Sequence, residues 1–256
     1  ELDQIIAHGL SDKEIKKQLK IFHDGAPYTH VTRAVGVENG IEVYDNAAQK
    51  QLASYYDSQK EQKEIIKFVP ASGSATRMFK FLHAFLDNYD PDQEKLTPYL
   101  KSKKLNALKI FIDNIKYFPF TSLVQKEIRK HKPNYKKSKK GYRINSFVSL
   151  MLDKKHLNYA GLPKGLIPFH KYTKNIRTAF EEQLFEATQY AAVDGVAHLH
   201  FTFSPKHVQL FKQTYEKVKN SIKRKTKVEV QISYSFQDSN TDTIAVNLKN
   251  KPFKDK

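Results

Sequence analysis

The chain has 256 residues, 39% hydrophobic and 12% aromatic, with nine Gly and ten Pro; that is enough apolar material for a buried core and too little bias for a fibrous or disordered chain. Its apolar runs fall far short of the ~18 residues that cross a bilayer, its first residues show no signal-peptide pattern, and zero cysteine excludes disulfides, thiolate metal sites and cysteine nucleophiles. A cytoplasmic protein with no membrane association is expected. The net charge of +17 is concentrated: residues 88–160 carry 17 Lys/Arg against 6 Asp/Glu. Of the 44 basic residues 38 are Lys, whereas bidentate reading of phosphates and guanine edges favours Arg, so the pattern argues for a solvated lysine-rich surface and against nucleic acid.

In chain order, Ser11-Asp-Lys-Glu14 has the form of a capping box, and Ile15, Leu19 and Phe22 follow at helical spacing until Gly25 and Pro27 stop the run. A second helix is expected from Asp45, carrying Leu52, Tyr55 and Tyr56. Ile65–Val69 favours a strand, Pro70–Ala75 a tight small-residue loop, and Met78, Phe79, Leu82, Phe85 and Leu86 a helix from Thr76 onward. Helices are then expected over Leu105–Phe118, Ser122–His131 and Ile144–Lys155, with a mobile loop at Lys136–Lys140.

After the proline-framed segment Leu162–Phe169, apolar spacing predicts a helix over Ile176–Ala192, a strand over Val196–Phe203, and a helix capped by Ser204-Pro205 that carries Val208, Phe211, Tyr215, Val218 and Ile222. Val228 to Phe236 alternates with period two, as a strand with one wetter face does. His198 and His200 share a strand face with His207 beyond it; paired imidazoles of this kind read as structural groups more readily than as a zinc site. The order β, α, inserted helices, α, β, α, β predicts the fold class α/β, a Rossmann-like three-layer sandwich with a mainly parallel sheet and ligands at the strands' carboxyl ends. The expected organisation is an N-terminal helical flank, 1–64, and an α/β domain, 65–256, with a basic helical insertion at about 90–160.

Two segments carry chemistry. Ser72-Gly-Ser-Ala75-Thr-Arg77 follows a strand with small side chains whose amides can approach a phosphate, and Arg77 adds a full charge there. It lacks the Walker ending and the three glycines of a dinucleotide loop. Pro163-Lys164-Gly165, with a second proline at Pro168, stiffens the backbone and so fixes where the Lys164 ammonium points.

Together, Ser-Gly-x-Ala-Thr-Arg-Met and Leu-Pro-Lys-Gly-Leu-Ile-Pro resemble the signature of sugar-nucleotide pyrophosphorylases, especially the UDP-sugar branch. Nearly the whole chain also resembles the N-terminal half of an uncharacterised bacterial domain-of-unknown-function family, number 4301. It does so through Lys67–Lys80, Gly161–Tyr172, His200–His207 and Ser235–Val246. The first resemblance implies a GT-A-like nucleotidyltransferase fold and transfer of a nucleotidyl group from an NTP, with UTP the leading candidate, to a sugar phosphate, releasing pyrophosphate with the help of Mg2+. It implies catalytic roles for Arg77 and Lys164, and nucleotide contacts from Ser72, Gly73, Ser74, Ala75, Thr76 and Gln237, the last reading the uracil edge.

Two departures accompany it. Ala75 replaces the second loop glycine, which restricts close backbone approach, and the aspartates expected to hold Mg2+ fall beyond residue 256, leaving Asp238 and Asp242 as poor substitutes. The chain is accordingly expected to be a fragment that is inactive by itself. The alternatives are a nucleotide-binding module without catalysis and a nucleic-acid-binding protein acting through the basic insertion. The sugar, the base and the oligomeric state stay open.

Overall fold

The computed structural model describes residues 2–25, 28–102, 105–237 and 243–252. They divide into two compact units, one holding the chain up to Gln62 together with the residues from Gln237 onward, the other Lys63–Phe236.

In the first unit, α1 (Leu2–Ala7) precedes α2 (Asp12–Asp24). The capping box at Ser11 is complete: the Ser11 hydroxyl accepts the Glu14 N–H, and the Glu14 carboxylate accepts the Ser11 N–H at 2.8 Å. After the short pair β1 (Gly36–Val37) and β2 (Gly40–Ile41), α3 (Asn46–Gln59) starts at Asp45, whose carboxylate accepts the Ala48 N–H at 2.8 Å. The late chain returns to α2: Ile244 N–H donates to Gln18 Oε1 and the Asn250 amide donates to the Phe22 carbonyl, both at 2.9 Å. Asp238 and Asp242 lie outside the described residues.

The second unit opens with β3 (Ile66–Pro70), followed by the helices α4 (Lys80–Asn88), α5 (Leu96–Ser102), α6 (Asn106–Asn114), α7 (Thr121–His131) and α8 (Lys140–Leu152). A small hairpin, β4 (His170–Lys171) with β5 (Ile176–Arg177), leads into α9 (Ala179–Tyr190), β6 (Ala192–Val193), β7 (Val196–Phe203), α10 (Val208–Thr226) and β8 (Glu229–Phe236). Strand β7 is central, parallel to β3 and to β8, while β6 folds back antiparallel on its first residues. The protein is thus mixed α/β with a small mixed sheet.

Among the described residues of this unit, helices pack on one face of the sheet, so two of the three layers expected for a Rossmann-like sandwich are seen. Ala197, Leu199, Phe201 and Phe203 point to one face of β7 and are buried against α9 and α10, with Phe203 stacked on Phe211 at 4.2 Å. The opposite face carries the exposed His198, Gln231 and Ser233, and Phe68 beside them is 63% exposed. A strand that alternates apolar and polar residues can bury one face only. The inserted helices leave that second face open because they bury one another: Leu82, Val124, Val148 and Met151 form a separate core with no solvent exposure.

Several boundaries also move. Thr76 to Phe79 are turns and the helix begins at Lys80; α10 begins at Val208, with Ser204 accepting the His207 N–H in a turn. Ile176 belongs to the hairpin, because Thr178 and Glu181 form a second complete capping box that starts α9. Lys136 and Lys137 lie in a 3-10 turn, Lys140 opens α8, and α5 is a helix that the apolar spacing did not mark.

Candidate functional site

The two motif-bearing segments meet. Ser74 and Pro163 form an isolated antiparallel bridge: Ala75 N–H donates to the Leu162 carbonyl at 3.3 Å, and Lys164 N–H donates to the Gly73 carbonyl at 2.9 Å. Segments 87 positions apart in sequence are therefore locked backbone to backbone at the carboxyl end of β3, where Ala71 N–H extends the ladder to the Thr202 carbonyl at 2.9 Å.

Each anchor has a local cause. Ala75 is fully buried in the helical core, so its side chain cannot face a ligand and its amide is already engaged, which removes it from the expected nucleotide contacts. The Ser74 hydroxyl accepts the Thr76 N–H at 3.2 Å and shares a hydrogen bond of 2.7 Å with the Thr76 hydroxyl, closing the turn. Pro163 and Pro168 are buried, and Gly165 lets the backbone pass over Phe211: a Cβ there would meet that ring at 3.0 Å. At Gly73, by contrast, a Cβ would meet nothing within 4 Å, and φ is not in the left-handed region. Neither space nor strain within the chain requires that glycine.

Among the described residues, the N–H groups of Ser72, Gly73, Ser74 and Arg77 donate to no protein acceptor. The Arg77 and Lys164 side chains are exposed and, among the described residues, make no ion pair. One end of the sheet therefore offers several free amides and two uncompensated cations, a combination suited to an anion. The expectation that a helix N-terminus adds to this potential at Thr76 is corrected by the start of α4 at Lys80. Gln237 directly follows β8, is exposed, and belongs to the other unit.

A concavity of about 680 Å3 lies along the hairpin and is lined by Tyr159, Leu166, Pro168, Lys171, Tyr172 and Lys174 among others; Arg77 and Lys164 do not line it. Beside it, Arg177 pairs with Glu182 at 3.1 Å and stacks on Phe185 at 3.6 Å. Sequence reading missed this cleft, since its walls come from α7, the Tyr159 turn and the hairpin, segments that no single motif joins. Burial pushes the Tyr159 phenol well above its ordinary range, and its hydroxyl finds no partner among the described residues. On the open sheet face, His200 is held between Ser233 Oγ (2.9 Å) and Ser235 Oγ (3.0 Å), a structural arrangement of the kind expected for that histidine.

The Mg2+ expected from the resemblance has no ligand set in the paired loops, which present amides, hydroxyls and cations without a carboxylate. Among the described residues, the group of three metal-ligating side chains is Glu127, His131 and His156, and two imidazoles do not suit a hard, oxygen-seeking ion.

Fold and loops together define a mixed α/β domain with a doubly anchored loop pair at the carboxyl edge of its sheet. Over residues 1–256 the chain matches the family described as Domain of unknown function (DUF4301), and it belongs to that family. No curated protein and no solved structure matches it. No helix among the described residues is long and apolar enough to cross a membrane.

Proposed function

We propose that the paired loops bind the phosphates of a nucleoside triphosphate and that the protein is, or derives from, a nucleotidyltransferase of the sugar-nucleotide pyrophosphorylase type, with a Rossmann-like GT-A ancestry. The observation that carries this reading is the Ser74–Pro163 bridge, which fixes Arg77 and Lys164 on one backbone unit beside the free amides of Ser72, Gly73 and Ser74. In the reaction, a phosphate oxygen of the sugar phosphate attacks the α-phosphorus, the bond to the β-phosphate oxygen breaks, and pyrophosphate leaves. Nucleophile and electrophile are both anionic, so charge neutralisation and in-line positioning dominate the barrier. Lys164 would neutralise the α-phosphate and the incoming phosphate; Arg77 would hold the departing pyrophosphate. The loops, which carry no carboxylate, do not fit Mg2+.

Thermal shift with UTP, UDP-sugars and short duplex DNA at two salt concentrations tests the reading. UTP should raise the midpoint of the wild type but not of Arg77→Ala or Lys164→Ala. Where the domain turns over UTP with a sugar phosphate in a pyrophosphate-release assay, Lys164→Ala should lose on the order of 3 kcal/mol of transition-state stabilisation, as for one strong electrostatic donor. Stabilisation by DNA alone, lost in salt, would overturn the proposal in favour of nucleic-acid binding.

A further inference from the structure

We propose that Glu127, His131 and His156 form a binding site for one divalent transition-metal ion of the Zn2+ class. Helix α7 places Glu127 and His131 four residues apart, on one face near its C-terminus, and His156 is brought to them by the turn after α8, where its N–H donates to the Asp153 carbonyl at 3.0 Å. His131 Nε2 lies 3.4 Å and His156 Nδ1 3.9 Å from the same oxygen, Glu127 Oε2, and the three ligand atoms all fall within 4.8 Å of one another. Around a tetrahedral Zn2+ with bonds of about 2.0–2.1 Å, ligand atoms sit roughly 3.3 Å apart. Small rotamer adjustments would therefore close this set on an ion.

The second observation is an orphan. Among the described residues, His156 Nδ1 is buried with no hydrogen-bond partner, at 3.9 Å too far from the Glu127 carboxylate to form a hydrogen bond. The two imidazole rings stand edge to face with centroids 4.7 Å apart, so both can turn a nitrogen toward one ion. Lys130 Nζ binds Glu127 Oε1 at 2.6 Å, which orients the carboxylate and leaves Oε2 for the metal. Buried Val124, Ile128 and Leu152 pack the supporting helices, so the backbone positions are fixed before an ion arrives. The half-exposed His131 provides an entry path. Two nitrogens and one carboxylate select Zn2+, Co2+ or Ni2+ over Mg2+ and Ca2+, and three protein ligands leave a coordination position for an exogenous group.

The test uses the whole chain without a polyhistidine tag, stripped with chelator and dialysed against Zn2+. Elemental analysis should find one Zn2+ per chain, Zn2+ should raise the thermal midpoint, and histidine NMR resonances of His131 and His156 should move while those of His198, His200 and His207 stay. His131→Ala should weaken Zn2+ binding at least about tenfold, and His131→Ala/His156→Ala should abolish it while keeping the wild-type circular dichroism in chelator. Should the double variant not fold, the wild-type resonances decide. Failure of the wild type to bind Zn2+, undiminished binding by a folded double variant, or a response at other histidines would overturn the assignment.

Discussion

Gly73 and Gly165 sit on the two paired loops, and the structure gives them opposite sensitivities. A Cβ on Gly165 would stand 3.0 Å from Phe211 Cε1 and 3.2 Å from Cζ. That ring cannot yield, because it is fully buried, stacked on Phe203 at 4.2 Å and set edge-on to Phe180 at 5.1 Å. Gly165→Ala must therefore shift the backbone that carries Lys164, at the ~1–3 kcal/mol typical of overpacking. For a chain of this size that lowers the midpoint by about 2–4 °C per kcal/mol. Gly73→Ala meets nothing within 4 Å and no positive φ, so stability should hold or rise by about 0.4–1 kcal/mol through the unfolded chain. On the proposed reading the same methyl would stand in the path of a phosphate approaching the loop amides, so the UTP-dependent shift should vanish. Urea unfolding of both variants, with and without UTP, separates the effects. Wild-type stability in Gly165→Ala would refute the packing argument, and an undiminished UTP response in Gly73→Ala would refute the amide cradle.

The Tyr159 hydroxyl is buried without a partner, so Tyr159→Phe should leave stability unchanged or raise it by up to about 1 kcal/mol, and a loss of more than that in urea unfolding would reveal a bond the hydroxyl does make. The Glu14 carboxyl is held below its ordinary 4.5, first by the Ser11 hydroxyl and then by the Ser11 amide. Because the folded value is depressed, its contribution to α2 is present above 4.5 and is lost as pH falls through the folded value; an NMR titration of the Glu14 carboxyl should give a midpoint below 4.5 that moves back toward it in Ser11→Ala. In hydrogen exchange, β7, paired on both edges, should be the slowest strand, and the amides of Ser72, Gly73 and Ser74 should exchange freely until UTP is added. Protection of those amides without ligand would show that they are already bonded.

Strands and helix interiors were legible because apolar spacing records burial directly. Val196–Phe203 is a strand as its alternation indicates, and Ser11 and Asp45 start helices through side-chain oxygens that reach N–H groups three residues on. Helix starts failed where turns formed instead: the Ser74 and Thr76 hydroxyls bond each other, and the Ser204 carbonyl accepts the His207 N–H in a turn before α10. The Thr178–Glu181 capping box was present in the sequence, but the apolar side chain of Ile176 hid it. The number of sheet layers depended on the polar partners in the alternation, His198, His200, Ser233 and Ser235, more than on the apolar ones. Of the candidate sites, the loop pair was legible as two motifs. Its backbone bridge was not, since 87 positions separate Arg77 from Lys164. In the metal cluster, Glu127 and His131 stand at i, i+4 on a helix, but only folding supplies His156.

The loop pair also sits where the two cores of this unit adjoin, which accounts for a rigid backbone beneath exposed cations. Val69 and Ala71 pack into the sheet core, while Ala75 and Phe79, a few residues on, pack into the helical core. The partner segment crosses in the same way, with Leu166 in the sheet core and Ile167 in the helical one. The first loop is thus held by partly buried residues before it and buried ones after it, the second by the buried Leu166 and Ile167 that follow Lys164, and the bridge between Ser74 and Pro163 ties the two together at their centres. Side chains between such anchors are free to project without loosening the chain, as catalytic and binding groups need to be when mounted on loops. The same arrangement couples them: a change in how the helical core seats against the sheet core must move Arg77 and Lys164 as one body, because neither loop can shift without breaking the 2.9 Å bond from Lys164 to Gly73.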